Sequence, residues 1–440
     1  MGFLLLVVLF VPPRRYAFPV SLPFELDPYR LLVLGLFLAV LLSALSDERF
    51  RLRASGLEAP LLLFGLGVAG SLAANPERFS AYQPEVMKTL SVLVGYFVVF
   101  YLVVNLIRTR EACETVLTVL VLGGAVLAVL AVVERKTGWS PFVGLDQYLP
   151  FLQSTSAGDL LLIRDGAART FGSAEHPIAF GALLVMLAPA AAALAVLRRK
   201  PIWVACLALL VLGSFATASR TAVLMLFSWA LLLLVLRWND MKRFIPLALA
   251  SVALINFVMP GTLGSLRTSL NPSGIIKEQE ANPNDSTSAG RVADLGPSFE
   301  EFREKPLLGQ GVGTRVITGE RKNARLLDNQ WLGTLLEAGL VGVIGLGWLL
   351  GRFVVRLSVA SLRTGEDGVL LAGLAAAVFS YIVGMFTYDA LTFTQVTVVL
   401  FVLLGVGSSL LLAREPVLAQ FGKPVLRATA RREHLPAGTT

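Results

Sequence analysis

The chain has 440 residues, 55% of them hydrophobic and 15% charged, with a formal net charge of +8. A soluble protein carries roughly a quarter charged residues, so this composition excludes a water-soluble globular domain. The positive balance does not mark a nucleic-acid surface either. Its lysines and arginines fall in short clusters between apolar runs, as membrane-topology determinants do.

Apolar segments lie near 3–12, 28–45, 58–74, 88–106, 113–133, 178–197, 201–218, 221–236, 244–259, 330–351, 368–388 and 391–413. Runs of this kind read as bilayer-spanning helices. They predict an all-α integral membrane protein with about twelve transmembrane helices, forming a single membrane domain over residues 1–440. The first run has no basic stretch before it and no small-residue cleavage site after it. It reads as a short first helix rather than a removable signal peptide.

Arg49, Arg51 and Arg53 share the connector after the second segment, and Arg108 and Arg110 the next connector but one. The series continues with Arg198, Arg199 and Lys200, then Arg237, Lys242 and Arg243, then Arg352, Arg356 and Arg363. The tail, 414–440, adds Arg414, Lys423, Arg427, Arg431 and Arg432. Every second connector is basic, which predicts that both termini and this tail are cytoplasmic. The same parity places two long loops, 134–177 and 260–329, on the non-cytoplasmic side. Loops of this length are uncommon unless functional or disordered. Within the second, Ser298–Lys305 has the charged, helix-like pattern of a segment lying along a membrane surface.

Arg220 stands in Ala218-Ser219-Arg220-Thr221, a short turn between two long apolar runs on the outer side. It can snorkel to lipid phosphates, or it can form an anion site. A guanidinium fork matches phosphate oxygens in pairs, and the helix starting at Thr221 adds free N–H groups. Arg164 and Arg169 from the first loop, and Arg291, Arg315 and Arg325 from the second, are the arginines that can converge on it. Together they suit a substrate carrying a pyrophosphate.

Asp328-Asn329-Gln330-Trp331-Leu332 stands where the second loop re-enters the membrane. Asp328 is either a helix N-cap or a reactive carboxylate. Glu337 lies two turns into the apolar run that follows, where an ionisable residue marks a functional site or pairs with an arginine. Gly309-Gln310-Gly311-Val312-Gly313 lacks the Lys-Ser/Thr ending of a phosphate loop and reads as a turn. The only histidines are His176, which precedes Pro177 at a helix start, and His434. No two aspartates are separated by one residue, so no histidine-rich or Asp-x-Asp metal site is expected. Cys113 and Cys206 offer no disulfide framework.

In order along the chain, Ser219-Arg220-Thr221-Ala222, Gly290-Arg291, Pro306–Gly313 and Asp328–Leu332 with Glu337–Gly342 resemble the O-antigen ligase/polymerase family of bacterial envelope enzymes. Arg169–Gly172 through His176-Pro177 to Leu187–Pro189 is a weaker part of the likeness. The resemblance implies a GT-C-like glycosyltransferase of the bacterial inner membrane, its active site facing the periplasm or cell exterior. It implies a glycan donor on undecaprenyl pyrophosphate, attacked by an acceptor-glycan hydroxyl, with no metal ion or other cofactor. Asp328, Arg220, Arg291 and Glu337 would then be catalytic. Arg164, Arg169, His176, Arg315, Arg325, Asn329 and Trp331 would bind substrate. Ligases of the family that use lipid A–core as acceptor usually carry histidine where this chain has Asp328. That departure leans the reading toward a polymerase of repeat units, with ligation onto lipid A–core as the alternative. A non-enzymatic flippase of lipid-linked glycans is the reading from a different class; it would carry charges within central helices.

Overall fold

The computed structural model describes residues 1–20, 26–47, 51–155, 163–164, 167–246, 295–317, 320–363 and 365–413. The helices in chain order are α1 (Gly2–Phe10), α2 (Pro28–Ser46), α3 (Glu58–Ala73), α4 (Pro76–Ala81), α5 (Gln83–Leu106), α6 (Arg110–Thr137) and α7 (Leu145–Tyr148). They continue with α8 (Pro177–Arg198), α9 (Pro201–Ala216), α10 (Arg220–Met241), α11 (Leu295–Glu304), α12 (Gln330–Leu362), α13 (Glu366–Gly384) and α14 (Thr394–Leu412). Strand among the described residues is limited to two short hairpins, Tyr16–Ala17 with Gln153–Ser154 and Ile163–Arg164 with Ala167–Ala168.

Among the described residues, eight helices, α2, α5, α6, α8, α10, α12, α13 and α14, are long and apolar enough to cross a membrane. Three further predicted segments are helical but shorter. Pro12 and Pro13 follow α1, Asn75-Pro76 follows α3, and Ala218 just beyond α9 has φ +49°. Each is a local obstacle to another helical turn. The remaining predicted segment, 244–259, lies outside the described residues except for its first three. The tail expected to be cytoplasmic and most of the second long loop also lie outside them.

The bundle is organised around α8 and α14, whose side chains are almost all buried. The alanine-rich face of α8 lets neighbours approach closely: a methyl on Gly373 of α13 would stand 2.9 Å from the Pro189 carbonyl oxygen. Small residues serve this purpose where helices pack without a hydrophobic drive between them.

The connectors sort into two ends. At one end the arginines predicted to be cytoplasmic hold one another's connectors. Arg108 donates to the Arg51 carbonyl (3.2 Å), Arg352 to Gly56 (2.9 Å) and Arg356 to Ser55 (3.1 Å), while Arg110 pairs with Asp367 at 2.6 Å. At the other end, Arg14 reaches the Thr392 carbonyl (3.0 Å), Arg169 reaches Thr217 (3.3 Å), and Gln330 N–H reaches Met385 (2.8 Å).

Two of the described spanning helices are interrupted: α10 kinks at Arg237, close to its end, and α12 is broken in its interior. In α12, Gly339 adopts φ +65°, ψ −163°, a conformation essentially closed to residues with a Cβ. The segment Pro306–Gly311 fits against the break as a strap. Gln310 and Gly311 N–H donate to the Leu336 and Glu337 carbonyls (2.8 and 3.1 Å), and Leu340 and Val341 N–H donate to Pro306 and Leu307 (2.9 and 3.2 Å). The strap thus satisfies groups that the missing helical turn leaves open, as a non-aqueous environment demands. Gly309 makes the fit possible: it has φ +68°, and a methyl there would stand 2.5 Å from the Glu337 carbonyl carbon. The glycine-rich run read as a turn is therefore a patch for a helix.

Two outcomes follow from this architecture. Gly339→Ala and Gly309→Ala should each lower the thermal unfolding midpoint of purified protein, because the backbone strain alone costs on the order of 1–3 kcal/mol. Gly351→Ala, in a helix with open space around it, should leave the midpoint unchanged or slightly raised; equal midpoints for all three would contradict the strap. The two ends are distinguishable by thiol labelling, since both native cysteines are buried. Ser154→Cys, at an exposed site, should react with an impermeant maleimide in intact cells, and Ser46→Cys, exposed at the opposite end, should not. Labelling of Ser46→Cys would reverse the topology.

Candidate active site

Beside the break lies a cavity of about 420 Å³. Four cations line it: Arg14, Lys88, Arg315 and Arg325. Three carboxylates face them: Glu85, Glu337 and Asp389. Glu337 belongs to the last turn before Gly339, so the break sets its position on the wall. Its carbonyl is held from behind by the Ser71 hydroxyl at 2.5 Å.

The other groups come from connectors that are pinned individually. Arg14 has φ +58°, and its N–H donates to Asp27 (2.8 Å). Asp27 is fully buried and also pairs with Arg30 at 3.2 Å. The Arg14 guanidinium lies 3.6 Å from Glu175. Arg315 pairs with Glu301 of α11, and the Asn323 side chain clamps the same segment through Val316 N–H and the Thr314 carbonyl, both 2.8 Å. Asp389 accepts from the Thr392 hydroxyl.

Burial, with a smaller push from the Asp328 charge, brings the Asp389 carboxyl up to about 6 against the pull of the Thr392 hydroxyl, Arg14 and Arg315. Burial likewise pushes Glu175 up to about 7, opposed by Arg14 and the Thr394 N–H. Both acids therefore titrate close to neutral pH.

Of the residues expected to form a site, Arg315, Arg325 and Glu337 meet in the cavity. Asp328 sits near enough for its charge to act on Asp389. Arg169, His176 and Arg220 form a second group around the 217–220 turn. Arg169 Nε donates to the Thr217 carbonyl, and its charge reaches His176. Arg220 opens α10, where the Ser219 side chain caps the helix, and Thr221 shares a 2.9 Å hydroxyl contact with Thr387. The two groups thus flank one connector, 385–393. Arg164 lies on the small hairpin Ile163–Arg164, and Arg291 lies outside the described residues.

The local contacts of three neighbourhoods are specific, and the first corrects the reading of Asp328 as a cap. The N-cap of α12 is Asn329, whose Oδ1 accepts from Leu332 N–H (3.1 Å), so Asp328 is not the cap. Trp331 donates to the Ile382 carbonyl (3.3 Å) and rests against Phe386. His176 caps α8 through Nδ1, which accepts from Ile178 N–H (3.2 Å). Burial and then the Arg169 charge hold the imidazole down to about 4. It is neutral at pH 7, with its proton on Nε2.

Arg14, Lys88, Glu175 and Asp389 were not singled out from sequence. The sequence held a signal for two of them: Arg14 is a basic residue on the side where topology is predicted to prefer none, and Asp389 is an acid set between two apolar runs. Among the described residues, no group of three or more His, Cys, Asp or Glu side chains is arranged to hold a metal ion.

A membrane-embedded helical bundle with a charged cavity at one end is thus the class of protein. Residues 204–347 match the model of the O-antigen ligase family. The matched stretch runs from α9 into α12 and contains Arg220, Arg315, Arg325, Asp328 and Glu337. No curated protein matches the chain.

The cap assignment separates neighbouring residues. Asn329→Ala should destabilise the purified protein by about 1 kcal/mol, the usual cost of losing such a cap, whereas Asp328→Ala should leave its unfolding midpoint within error. The reverse pattern would restore Asp328 as the cap.

Proposed function

We propose that the chain transfers a glycan from undecaprenyl pyrophosphate to a hydroxyl of an acceptor glycan, polymerising repeat units at the non-cytoplasmic face of a bacterial inner membrane. The observation that carries this reading is the gathering of cations and near-neutral carboxylates on both flanks of the 385–393 connector, within and beside the family-matched stretch. Arg220 and Arg169, with Arg291 from the second long loop, hold the pyrophosphate through paired charge-assisted hydrogen bonds. Such donors stabilise the charge that grows on the leaving group. The cavity on the other flank receives the acceptor, whose hydroxyls match the carboxylates and the Arg325 and Lys88 side chains.

The acceptor oxygen forms a bond to the anomeric carbon as that carbon's bond to the phosphate oxygen breaks. The electron pair leaves with the pyrophosphate, and the hydroxyl proton passes to the Asp328–Asp389 pair. An isolated aspartate with a pKa near 3.9 is a poor acceptor at pH 7. Two neighbouring carboxylates that each feel the other's charge raise the pair's affinity for a proton, which suits the task. Glu337 is the alternative acceptor. The family's description as O-antigen ligase keeps transfer onto lipid A–core as the second reading.

Reconstituted protein, supplied with a lipid-linked repeat unit and either a second repeat or lipid A–core, separates the readings. A ladder of repeat lengths is expected, and a single transfer onto lipid A–core would mean ligation. Asp328→Asn and Asp389→Asn should each lower the rate by roughly a hundred- to ten-thousand-fold while the protein still purifies. The wild-type rate should be level above about pH 7 and fall below about pH 6 as Asp389 takes up its proton. Full activity of both variants would move the role to Glu337. Arg220→Lys keeps the charge but not the planar fork, and should cost on the order of a hundredfold or more. Activity should survive EDTA; loss restored by a divalent cation would refute the arginine clamp.

A further inference from the structure

At the end of the bundle opposite the cavity, a second pocket of about 570 Å³ lies between the α2–α3 connector, the start of α6 and the end of α14. Arg51, Arg53, Arg108 and Arg110 line it, against one carboxylate, Glu111. Their arrangement is fixed by specific bonds. Arg53 N–H donates to the Asn105 side chain (2.9 Å), and Arg108 donates from Nε to the Asn105 carbonyl (2.7 Å) and from Nη2 to the Arg51 carbonyl (3.2 Å). Arg110 is committed to Asp367 and Glu114 (2.6 and 3.3 Å). Arg53 is not: its Nη1 is buried and has no acceptor among the described residues. A buried guanidinium nitrogen without an acceptor is costly and marks a place for an anion.

The backbone contributes as well. The Thr109 side chain caps α6 by accepting from Ala112 N–H (3.2 Å). The N–H groups of Arg110 and Glu111 precede the first helical hydrogen bond. The Glu111 N–H is met by its own carboxylate, so the positive end of this 28-residue helix meets the pocket at the Arg110 N–H. The rim is apolar: Leu412 lines the pocket, Leu52 is 69% exposed, and Leu106 ends the spanning helix beside it. A free phosphate needs none of that rim. A lipid, with phosphate and acyl chains joined, matches both parts, as basic pockets between spanning helices do elsewhere.

We propose that this pocket binds the phosphate of an anionic lipid headgroup, Arg51 and Arg53 being its ligands together with the α6 N-terminus. The site stands apart from the glycan-transfer site and does not depend on that reading.

Native mass spectrometry of the full-length protein in phosphatidylcholine nanodiscs tests it, with added phosphatidylglycerol or cardiolipin in one arm and inorganic pyrophosphate in another. The wild type should retain the anionic lipid in preference to phosphatidylcholine. Arg51→Gln/Arg53→Gln should weaken retention by about fivefold per arginine. If the double variant does not purify, Arg51→Gln alone, at an exposed side chain, is read by the same criterion. Equal retention by wild type and variant would overturn the proposal and leave the arginines as topology determinants. Binding of pyrophosphate without selective lipid retention would overturn the lipid as ligand.

Discussion

A helix that crosses lipid must satisfy its own backbone, and α12 does not. The break at Gly339 opens carbonyls at one side and N–H groups at the other, and the Pro306–Gly311 strap answers both with four hydrogen bonds. In a hydrocarbon environment each unsatisfied group costs several kcal/mol, so break and strap stand or fall together. The consequence reaches the chemistry. The strap fixes where Val312–Ile317 runs, and with it Arg315. The break fixes where the first half of α12 stops, and with it Glu337. Two glycines thereby set a carboxylate and a guanidinium on one cavity wall.

The connector 385–393 plays the complementary part. The start of α12 binds it through Gln330, whose N–H donates to Met385 and whose side chain accepts from Leu391 N–H (2.7 Å). The start of α10 touches it at Thr387, Arg14 holds it at Thr392, and Glu175 receives the Thr394 N–H (3.1 Å) just beyond it. Elements from four regions of the chain therefore meet on a few residues that include Asp389. Buried polar networks are high-stakes when every member is needed, and here the network frames the place where charge would be handled.

The spanning helices were legible because apolar runs of bilayer length are a strong local signal. The sorting of connectors was legible because arginine and lysine mark one side. The broken helix was not. Glu337-Ala338-Gly339-Leu340 reads as uninterrupted apolar helix, glycine being common in spans, and the strap that stabilises the break lies in a separate segment of the chain. Asp328 and Asn329 illustrate a finer limit: which of two adjacent capping residues acts depends on where the helix starts, and boundaries are the least reliable part of a sequence reading. Arg315, Arg325 and Glu337 were found by residue type and predicted side. Arg14 and Asp389 were missed because their meaning comes from long-range neighbours, as the contact from Arg14 to Thr392 shows.

The strap and the broken helix frame the proposed acceptor cavity, and the proposed site for a lipid-linked pyrophosphate lies across the 385–393 connector from it. The most direct measurement is an experimental structure of the full chain with a lipid-pyrophosphate glycan bound. The expected result is density for the two phosphates on the Arg169–Arg220 flank of the 385–393 connector, the sugar pointing toward Asp328 and Asp389, with Gly339 still broken and the strap in place. Phosphates bound at the arginine-rich opposite end, or a continuous α12 with the strap displaced, would contradict it.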